Sequence, residues 1–269
     1  MSGIKIRGTG RFAPAKIVTN DDLAKIVDTS DEWITTRTGI QTRHHCTTET
    51  HTDMCVGAAR QALENAGISP EDIGACVVAT FSSDYLSPSA ACMVQRGLGL
   101  PHDAVCFDLN AACSGFLFAI HTMECLLAQA PRKYGLVIGA EMLSRFINWE
   151  DRGTCVLFGW GSGRSGSGSG GSFCFGRFEF ARIFMHGQPT FKFAVKAVPY
   201  CIDQVLEKAV MAIEDVDFFV FHQANARIID LAAKKYHIPP EKYYKNIQKY
   251  GNTSAASIPL VISELHDLG

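Results

Sequence analysis

The fold of this chain is decided by the stretch Asp108-Leu109-Asn110-Ala111-Ala112-Cys113-Ser114-Gly115-Phe116. An apolar run typical of a buried strand, 104–107, precedes it, and an apolar run typical of a helix, 116–130, follows it. The small residues around Cys113 allow a sharp turn, and the N-terminus of a helix favours a thiolate. We therefore interpret Cys113 as a nucleophile on a strand–turn–helix, with a buried structural cysteine as the alternative.

Length and composition narrow the class of protein. The 269 residues suffice for one large domain or two fused halves, and 47% apolar with 19% charged residues is typical of a compact globule. The formal net charge of -2 offers no broad electrostatic footprint for nucleic acid or an anionic membrane. Without a run of about 18 apolar residues or a signal-peptide pattern, we expect a cytoplasmic protein that binds neither nucleic acid nor membrane.

The ten cysteines lie in apolar stretches, without a CxxC pair and without Cys/His spacing typical of metal ligands. We expect them to be buried, reduced thiols, and we expect no structural metal.

Apolar runs that alternate with helical patterns predict an α/β protein with helices on both faces of a parallel or mixed sheet. The expected strands are 4–7, 75–80, 104–108, 134–140 and 154–159. Helices are expected to begin at Thr19 or Asn20, at 29–33 and at Thr52, the last of these ending at Gly67, and to cover 89–98 and 116–130.

An internal repeat indicates two similarly folded halves. The segment 63–73 resembles 206–216 at a constant offset, and Val77 then matches Val220. In each copy a helix leads through Glu-Asp-Ile or Glu-Asp-Val into an apolar strand. The second strand, 218–221, runs into His222.

Two further turns carry chemistry-bearing side chains. His222 follows a strand at the end where α/β sheets place their active sites, although a single histidine is more often a surface or core residue. Asn252 opens a helix of small residues and, alone, is typical of a helix cap. A cysteine, a histidine and an asparagine, each where a strand meets a helix, favour a shared site.

A Gly/Ser-rich run, 159–172, is typical of a flexible linker, and a phosphate-binding loop is disfavoured because no Gly-Lys-Ser/Thr follows. Aromatic residues alternate with other residues in 173–180, which is compatible with an edge strand.

Three motifs together resemble those of the β-ketoacyl-acyl carrier protein synthase III family: 110–116, 222–227 and 251–257. The resemblance implies a thiolase-like fold, in which two duplicated α/β halves form an α-β-α-β-α arrangement, and a homodimer. It divides the chain into an N-terminal half, 1–159, an atypical Gly/Ser-rich segment, 160–184, and a C-terminal half, 185–269.

The resemblance also implies an activity and the residues that carry it. Cys113 would take an acetyl or other short acyl group from acyl-CoA, which is a substrate, and no cofactor is implied. His222 and Asn252 would bind the malonyl thioester of an acyl carrier protein and promote its decarboxylation. Condensation would then give acetoacetyl-carrier protein and initiate fatty acid biosynthesis.

Further positions match the family's binding residues. Trp33 and Arg37 resemble an adenine clamp, and Arg152 resembles a CoA contact. The pantetheine tunnel and the carrier-protein docking edge are matched by Gly187, Phe191, Asn225 and Arg227.

The chain departs from the family pattern at Trp160, where an aspartate is usual, and the family sequence up to about Phe184 is replaced or missing. We expect the second half to be incomplete, without the family's final strands and Gly-rich turn, so that sheet edges are left unpaired. Three hypotheses for the function are therefore open. The chain is an active synthase, a non-catalytic remnant that dimerises or binds CoA, or a papain-like Cys-His-Asn hydrolase.

Overall fold

The computed structural model describes residues 4–158, 183 and 185–268. The first part of the chain contains β1 Lys16–Thr19, α1 Asn20–Ala24, α2 Asp31–Thr38, β2 Thr42–His45, α3 His51–Ala66, β3 Ile73–Ala79, α4 Ala90–Leu98, β4 Val105–Leu109, α5 Gly115–Gln129, β5 Tyr134–Gly139 and α6 Arg152–Cys155. The second part contains α7 Gly187–Ala209, α8 Ala226–Lys235, α9 Ile247–Tyr250 and α10 Ser257–Leu268. The segments 159–172 and 173–180, with their predicted linker and edge strand, lie outside the described residues.

The core is a parallel three-stranded sheet in the order β4-β3-β5. Every residue of β3 is buried, because successive side chains point to opposite faces and both faces are covered. On one face Cys76 and Val78 pack against α3 and α4. On the other face Ala75, Val77 and Ala79 pack against α5 and Ala255. The predicted α/β architecture is thus confirmed for the first half.

A smaller antiparallel pair, β1 and β2, anchors α1, α2 and the residues after α6. The buried Arg43 of β2 donates through Nη1 to Asn20 Oδ1 (2.7 Å) and through Nη2 to the carbonyl of Val156 (2.9 Å). Asn20 Nδ2 in turn donates to Asp31 Oδ1 (2.7 Å) at the start of α2. These hydrogen bonds fix α2 and the residues after α6 to the same buried guanidinium.

The helix starts follow the capping residues, with one correction. Thr19 caps α1 through a capping box with Asp22, as the sequence predicts. For α3 the prediction of Thr52 is wrong, since Thr50 is the cap and accepts from Asp53 N–H. The Thr52 N–H and hydroxyl instead donate to Asp84. The predicted end of α3 at Gly67 is confirmed, with φ +64°.

Three predicted strands are wrong. Residues 4–7 form no strand, since they are exposed and pair with no strand in the described part of the chain. Residues 154–159 were expected to be a strand, but α6 occupies Arg152–Cys155, and among the described residues 154–158 only Phe158 forms a bridge, to Asn252. Residues 218–221 supply only one bridge, Phe219 to Tyr243. Short apolar runs are the patterns that do not distinguish a strand from a buried helix.

The internal repeat is visible in the backbone. Both α3 and α7 end on a residue in the left-handed region, Gly67 (φ +64°) and Val210 (φ +55°), and a 3-10 turn follows each. A second correspondence links the turn before α5 with the turn before α10. Each is a 3-10 turn whose first residue has positive φ, Ala112 (+46°) and Ser254 (+51°). The repeat therefore includes the turn that carries Cys113.

The described second half contains no strand longer than a single bridge. Its longest helix, α7, leaves large apolar side chains exposed, among them Phe193, Tyr200 and Val205. The expectation of an incomplete second half stays a prediction.

Two glycines let the turn 254–256 approach the sheet of the first half. A Cβ on Gly139, at the end of β5, would lie 2.8 Å from the carbonyl carbon of Ala255 and would collide with its oxygen. A Cβ on Gly115 would lie 3.1 Å from Ala79 Cβ and 3.6 Å from Ala255 Cβ. The two halves therefore meet where side chains are absent.

We predict that Gly139→Ala lowers the free energy of unfolding by about 2–3 kcal/mol, because a backbone carbonyl must move. Gly135→Ala on the same strand is the matched control. Its Cβ meets the flexible side chain of Met123, so a loss of about 1 kcal/mol is expected. Urea unfolding followed by circular dichroism measures both. Equal losses in the two variants would contradict the close approach at Gly139.

Candidate active site

The predicted Cys, His and Asn turns are joined through the segment Asn252–Ser257, called here the 252–257 turn. Asn252 N–H donates to the carbonyl of Leu157 (2.9 Å), and Gln223 N–H donates to Ser257 Oγ (2.6 Å). Ala255 packs against β3 and α5, beside the turn that carries Cys113. The structure therefore attaches the residues next to His222 and next to Cys113 to the same short segment.

Cys113 lies in the 3-10 turn Ala112–Ser114, directly before α5. The expectation that its position favours a thiolate is corrected by its surroundings. Burial raises the pKa of the Cys113 thiol above its ordinary value, the Ser254 hydroxyl opposes this rise, and the charge of Glu141 adds to it. The thiol is thus held in its protonated form more strongly than a free cysteine.

His222 follows the bridge residue Phe219 and has both ring nitrogens buried without a hydrogen-bond partner among the described residues. Burial lowers the pKa of His222 to about 4, so the imidazole is neutral at physiological pH. Gln223 fixes the backbone beside it, because its Nε2 donates to the Phe221 carbonyl (3.0 Å) and its Oε1 accepts from Asn246 N–H (3.2 Å). A neutral ring with unused nitrogens can donate one hydrogen bond to a ligand oxygen.

Asn252 is 8% exposed, and its amide orientation is set by its neighbour. Asn252 Oδ1 accepts a hydrogen bond from Ser254 N–H (2.9 Å), which leaves the Nδ2 group as the donor that can serve a ligand. The bond to Ser254 N–H is a capping contact at the start of the 3-10 turn 254–256, so Asn252 has this structural role, and its role as a catalytic donor stays a prediction.

Two residues next to this site were missed by sequence reasoning. Glu141 follows the end of β5 and is buried, and Ser254 is part of the 252–257 turn. A carboxyl directly after a buried parallel strand was the available signal, because active sites gather at the carboxyl ends of such strands.

Trp33, one member of the predicted adenine clamp, is in contact with Arg152 rather than with Arg37. The Arg152 guanidinium lies 4.6 Å from the centre of the Trp33 ring, and its Nη1 donates to the Asp28 carbonyl (2.9 Å). Arg37, expected to pair with Trp33, is exposed near the end of α2. The structure thus brings Trp33 and Arg152 together as a cation–π pair.

The remaining predicted binding residues lie around the start of α8. Asn225 caps α8 through Oδ1, which accepts from Arg227 N–H (2.9 Å), and its Nδ2 donates to the Arg37 carbonyl (3.0 Å). The Arg227 guanidinium lies 5.0 Å from the centre of the Phe191 ring on α7. Gly187 is the first residue of α7. Asn225 therefore has a structural role that links α8 to α2.

The cysteines are free throughout the described residues, but fewer are buried than expected. Cys125 and Cys201 are exposed, which corrects the prediction for those two.

Within the described residues, no group of three His, Cys, Asp or Glu side chains could hold a metal ion. One segment, Ala112–Gln129, is long and apolar enough to cross a membrane by length and composition alone, and 22% of it is buried.

Comparison with known proteins gives the same family twice. The family model for 3-oxoacyl-(acyl carrier protein) synthase III matches residues 107–164, and the model for the C-terminal part of that family matches residues 206–269. These two matches cover the Cys113 turn and the turns of His222 and Asn252.

Individual relatives are similar over nearly their whole length. The beta-ketoacyl-(acyl carrier protein) synthase III of Clostridium acetobutylicum is 44% identical over 298 aligned positions, which cover 100% of this chain and 91% of that protein. Since 298 exceeds the 269 residues of this chain, the aligned relative has residues that this chain lacks.

Two crystal structures extend the likeness to three dimensions. The 3-oxoacyl-(acyl carrier protein) synthase III of Aquifex aeolicus has a TM-score of 0.89 and 44% identity, covering 99% of this chain and 92% of that one. The synthase III of Thermus thermophilus has a TM-score of 0.86 and 36% identity, covering 100% and 91%. The expected thiolase-like α/β fold is thereby confirmed, and the chain belongs to the β-ketoacyl-(acyl carrier protein) synthase III family.

Proposed function

We propose that this chain catalyses the decarboxylating condensation of a short acyl-CoA with malonyl-acyl carrier protein, the first step of fatty acid biosynthesis. The observation that carries the proposal is the attachment of the His222 and Cys113 turns to the 252–257 turn, with Gln223 N–H donating to Ser257 Oγ at 2.6 Å. The candidate nucleophile and the two candidate hydrogen-bond donors are thereby held on or beside one short segment.

In the first half-reaction, the Cys113 sulfur attacks the carbonyl carbon of the acyl-CoA thioester. The sulfur–carbon bond to CoA breaks, and CoA leaves as a thiolate that takes up a proton. The product is an acyl thioester on Cys113, which stays reactive toward carbon nucleophiles. Since burial raises the pKa of Cys113, this step needs neighbours that stabilise the thiolate.

In the second half-reaction, His222 and Asn252 Nδ2 donate hydrogen bonds to the thioester oxygen of the malonyl group. Loss of CO2 places negative charge on that oxygen, and preorganised donors in a buried site stabilise the enolate. The enolate carbon then attacks the acyl carbon on Cys113, whose thiolate leaves. A pKa of about 4 keeps His222 neutral, so it acts as a donor without carrying a charge.

The substrate's nucleotide end would bind at the Trp33–Arg152 pair, with the adenine ring stacked on the indole. The exposed guanidiniums of Arg37 and Arg227 suit the phosphates of CoA and of the carrier protein's phosphopantetheine arm. Gly187, Phe191 and Asn225 would line the path of that arm. In the proposed reaction acyl-CoA is a substrate, and no cofactor is required. We also propose that the protein acts in the cytoplasm.

The proposal predicts that radiolabelled acetyl-CoA labels the wild-type protein on Cys113 and that malonyl-carrier protein then chases the label into acetoacetyl-carrier protein. Cys113→Ala should take up no label and lose at least about a thousandfold in condensation rate. Cys125→Ala is the matched control, because Cys125 is an exposed cysteine on α5, the helix that follows Cys113. This variant should keep both activities.

Each alternative has its own outcome in this assay. A folded wild-type protein that binds CoA but stays unlabelled supports the non-catalytic remnant, which the exposed apolar side chains of α7 favour. Cleavage of a peptide or amide substrate without carbon–carbon bond formation supports the Cys-His-Asn hydrolase.

We propose further that the chain forms a homodimer through β4 and α5. Strand β4 is at the edge of the sheet, and Val105 is 48% exposed there. On the adjoining α5, Leu117 and Phe118 are 53% and 57% exposed. An unpaired edge strand beside an apolar helix face is complementary to a second copy of itself.

Phe118→Glu should weaken the proposed dimer by about 100-fold, since each copy would place a charge where the proposed interface buries an apolar side chain. Phe193→Glu is the matched control, because Phe193 is an exposed phenylalanine on α7. Sedimentation velocity measures both variants. A monomeric wild type, or equal dissociation of the two variants, contradicts this interface.

A further inference from the structure

Glu141 is a buried carboxyl group at the end of β5 that the proposed chemistry does not use. It is 2% exposed. Its Oε2 accepts hydrogen bonds from the Ser82 hydroxyl, from Thr80 Oγ1 (3.3 Å) and from Phe81 N–H (3.3 Å). All three donors belong to the residues that follow β3, so one oxygen of the carboxyl group is fully occupied.

The other oxygen, Glu141 Oε1, is buried without a hydrogen-bond partner, and so is the hydroxyl oxygen of Ser254. Burying a polar atom without a hydrogen-bond partner destabilises the folded state, so two such atoms at one site require a physical explanation. The turn 254–256 packs against the turn that carries Cys113 and against the end of β5, two residues before Glu141. In this position the Ser254 hydroxyl lowers the pKa of the Glu141 carboxyl group and of the Cys113 thiol, against the rise that burial causes in each. Ser254 therefore lies close to both the carboxyl group and the thiol.

Ser254 is held in this place by its backbone. Its φ of +51° is in the left-handed region, which is strained for a residue with a Cβ. Its N–H donates to Asn252 Oδ1, so the position of the hydroxyl is tied to the candidate donor Asn252. The same strained geometry occurs at Ala112, directly before Cys113.

A hydroxyl group has one proton to donate, and this decides how the three groups act together. When Glu141 is protonated, its O–H can donate to Ser254 Oγ, and the Ser254 proton is available to the Cys113 sulfur. When Glu141 is ionised, the carboxylate and the thiolate compete for the single Ser254 proton. A negative charge on Glu141 also opposes the thiolate directly.

We propose that Glu141 is a positioning residue that acts through Ser254 to direct a hydrogen bond onto the Cys113 sulfur when its own carboxyl group is protonated. The inference rests on the proposed role of Cys113 as the nucleophile. Burial raises the pKa of Glu141 to about 8, so the carboxyl group is mostly protonated at neutral pH. The arrangement then supports the Cys113 thiolate at neutral pH and ceases to do so above pH 8.

Three other titratable or charged side chains lie around Glu141: His51 and Cys55 on α3, and Arg11 before β1. From α3, His51 lies with Nε2 3.0 Å from Thr80 Oγ1 and 3.0 Å from the Ala140 carbonyl, and its pKa is lowered by burial. Cys55 of α3 has a pKa well above its ordinary value, mainly through burial. Arg11 lines the small cavity beside Glu141. His51 and Cys55 are therefore neutral where Glu141 titrates.

The test is the pH profile of iodoacetamide alkylation at Cys113, read peptide by peptide by mass spectrometry so that the other thiols do not contribute. In Glu141→Gln the group stays neutral at every pH. We expect its Cys113 to react about three- to tenfold faster than the wild type above pH 8, with a difference under about twofold at pH 7. Alkylation needs no turnover, so its result is independent of whether the chain condenses substrates.

Glu264→Gln is the matched control, because Glu264 is also a buried glutamate, on α10, and hydrogen-bonds to Tyr250 and Asn246. It should leave the Cys113 profile unchanged. Ser254→Ala should slow alkylation of Cys113 at neutral pH by about threefold or more, through loss of the donor to the sulfur. In the double variant with Glu141→Gln, the gain above pH 8 should be largely lost.

Three outcomes overturn the inference. The first is a Cys113 profile in folded Glu141→Gln that is shifted equally at all pH values, as expected for a purely structural role. The second is a gain above pH 8 that persists in the absence of the Ser254 hydroxyl, which would mean direct charge repulsion alone. The third is a Ser254→Ala profile identical to that of the wild type, which decides the question even where Glu141→Gln does not fold.

Discussion

The hydrogen bond from Gln223 N–H to Ser257 Oγ is the interaction on which the site depends, because it ties the second half of the chain to the start of α10. The 252–257 turn reaches the first half through Ala255, which fits against the sheet only because Gly139 lacks a side chain. Asn252 adds a third attachment, its N–H donating to the Leu157 carbonyl. A segment shorter than two helical turns thereby positions the cysteine, histidine and asparagine relative to one another.

Burial then sets the ionisation of each group. Desolvation makes His222 a neutral donor with a pKa of about 4, raises the pKa of Cys113, and keeps Glu141 protonated up to about pH 8. The first effect suits stabilisation of an enolate oxygen, whereas the second opposes formation of the nucleophile. The Ser254 hydroxyl, close to Cys113 and Glu141, lowers the pKa of the Cys113 thiol and so acts against this effect. The strained backbone of Ser254 is consistent with such a role.

The sequence was sufficient for the features that local chemistry determines. The Cys113 turn, the parallel sheet, the helix end at Gly67 and the repeated halves follow from small residues, apolar runs and self-similarity, whereas the roles of His222 and Asn252 stay predictions. Residues 154–158 were misread because a short apolar run suits a strand and a buried helix equally. The contact of Arg152 with Trp33 and the nearness of Ser254 to Glu141 could not be predicted from the sequence. Residues that are distant along the chain come together only through the fold.

The most direct test of the 252–257 turn is to measure the two half-reactions separately in Ser257→Ala. The account predicts that labelled acetyl-CoA still acylates Cys113 at a rate within about twofold of the wild type. It predicts that CO2 release from malonyl-carrier protein falls by about tenfold or more, because the backbone beside His222 loses its attachment. Unchanged CO2 release in a folded variant would contradict the claim that this hydrogen bond holds the second half of the site in place.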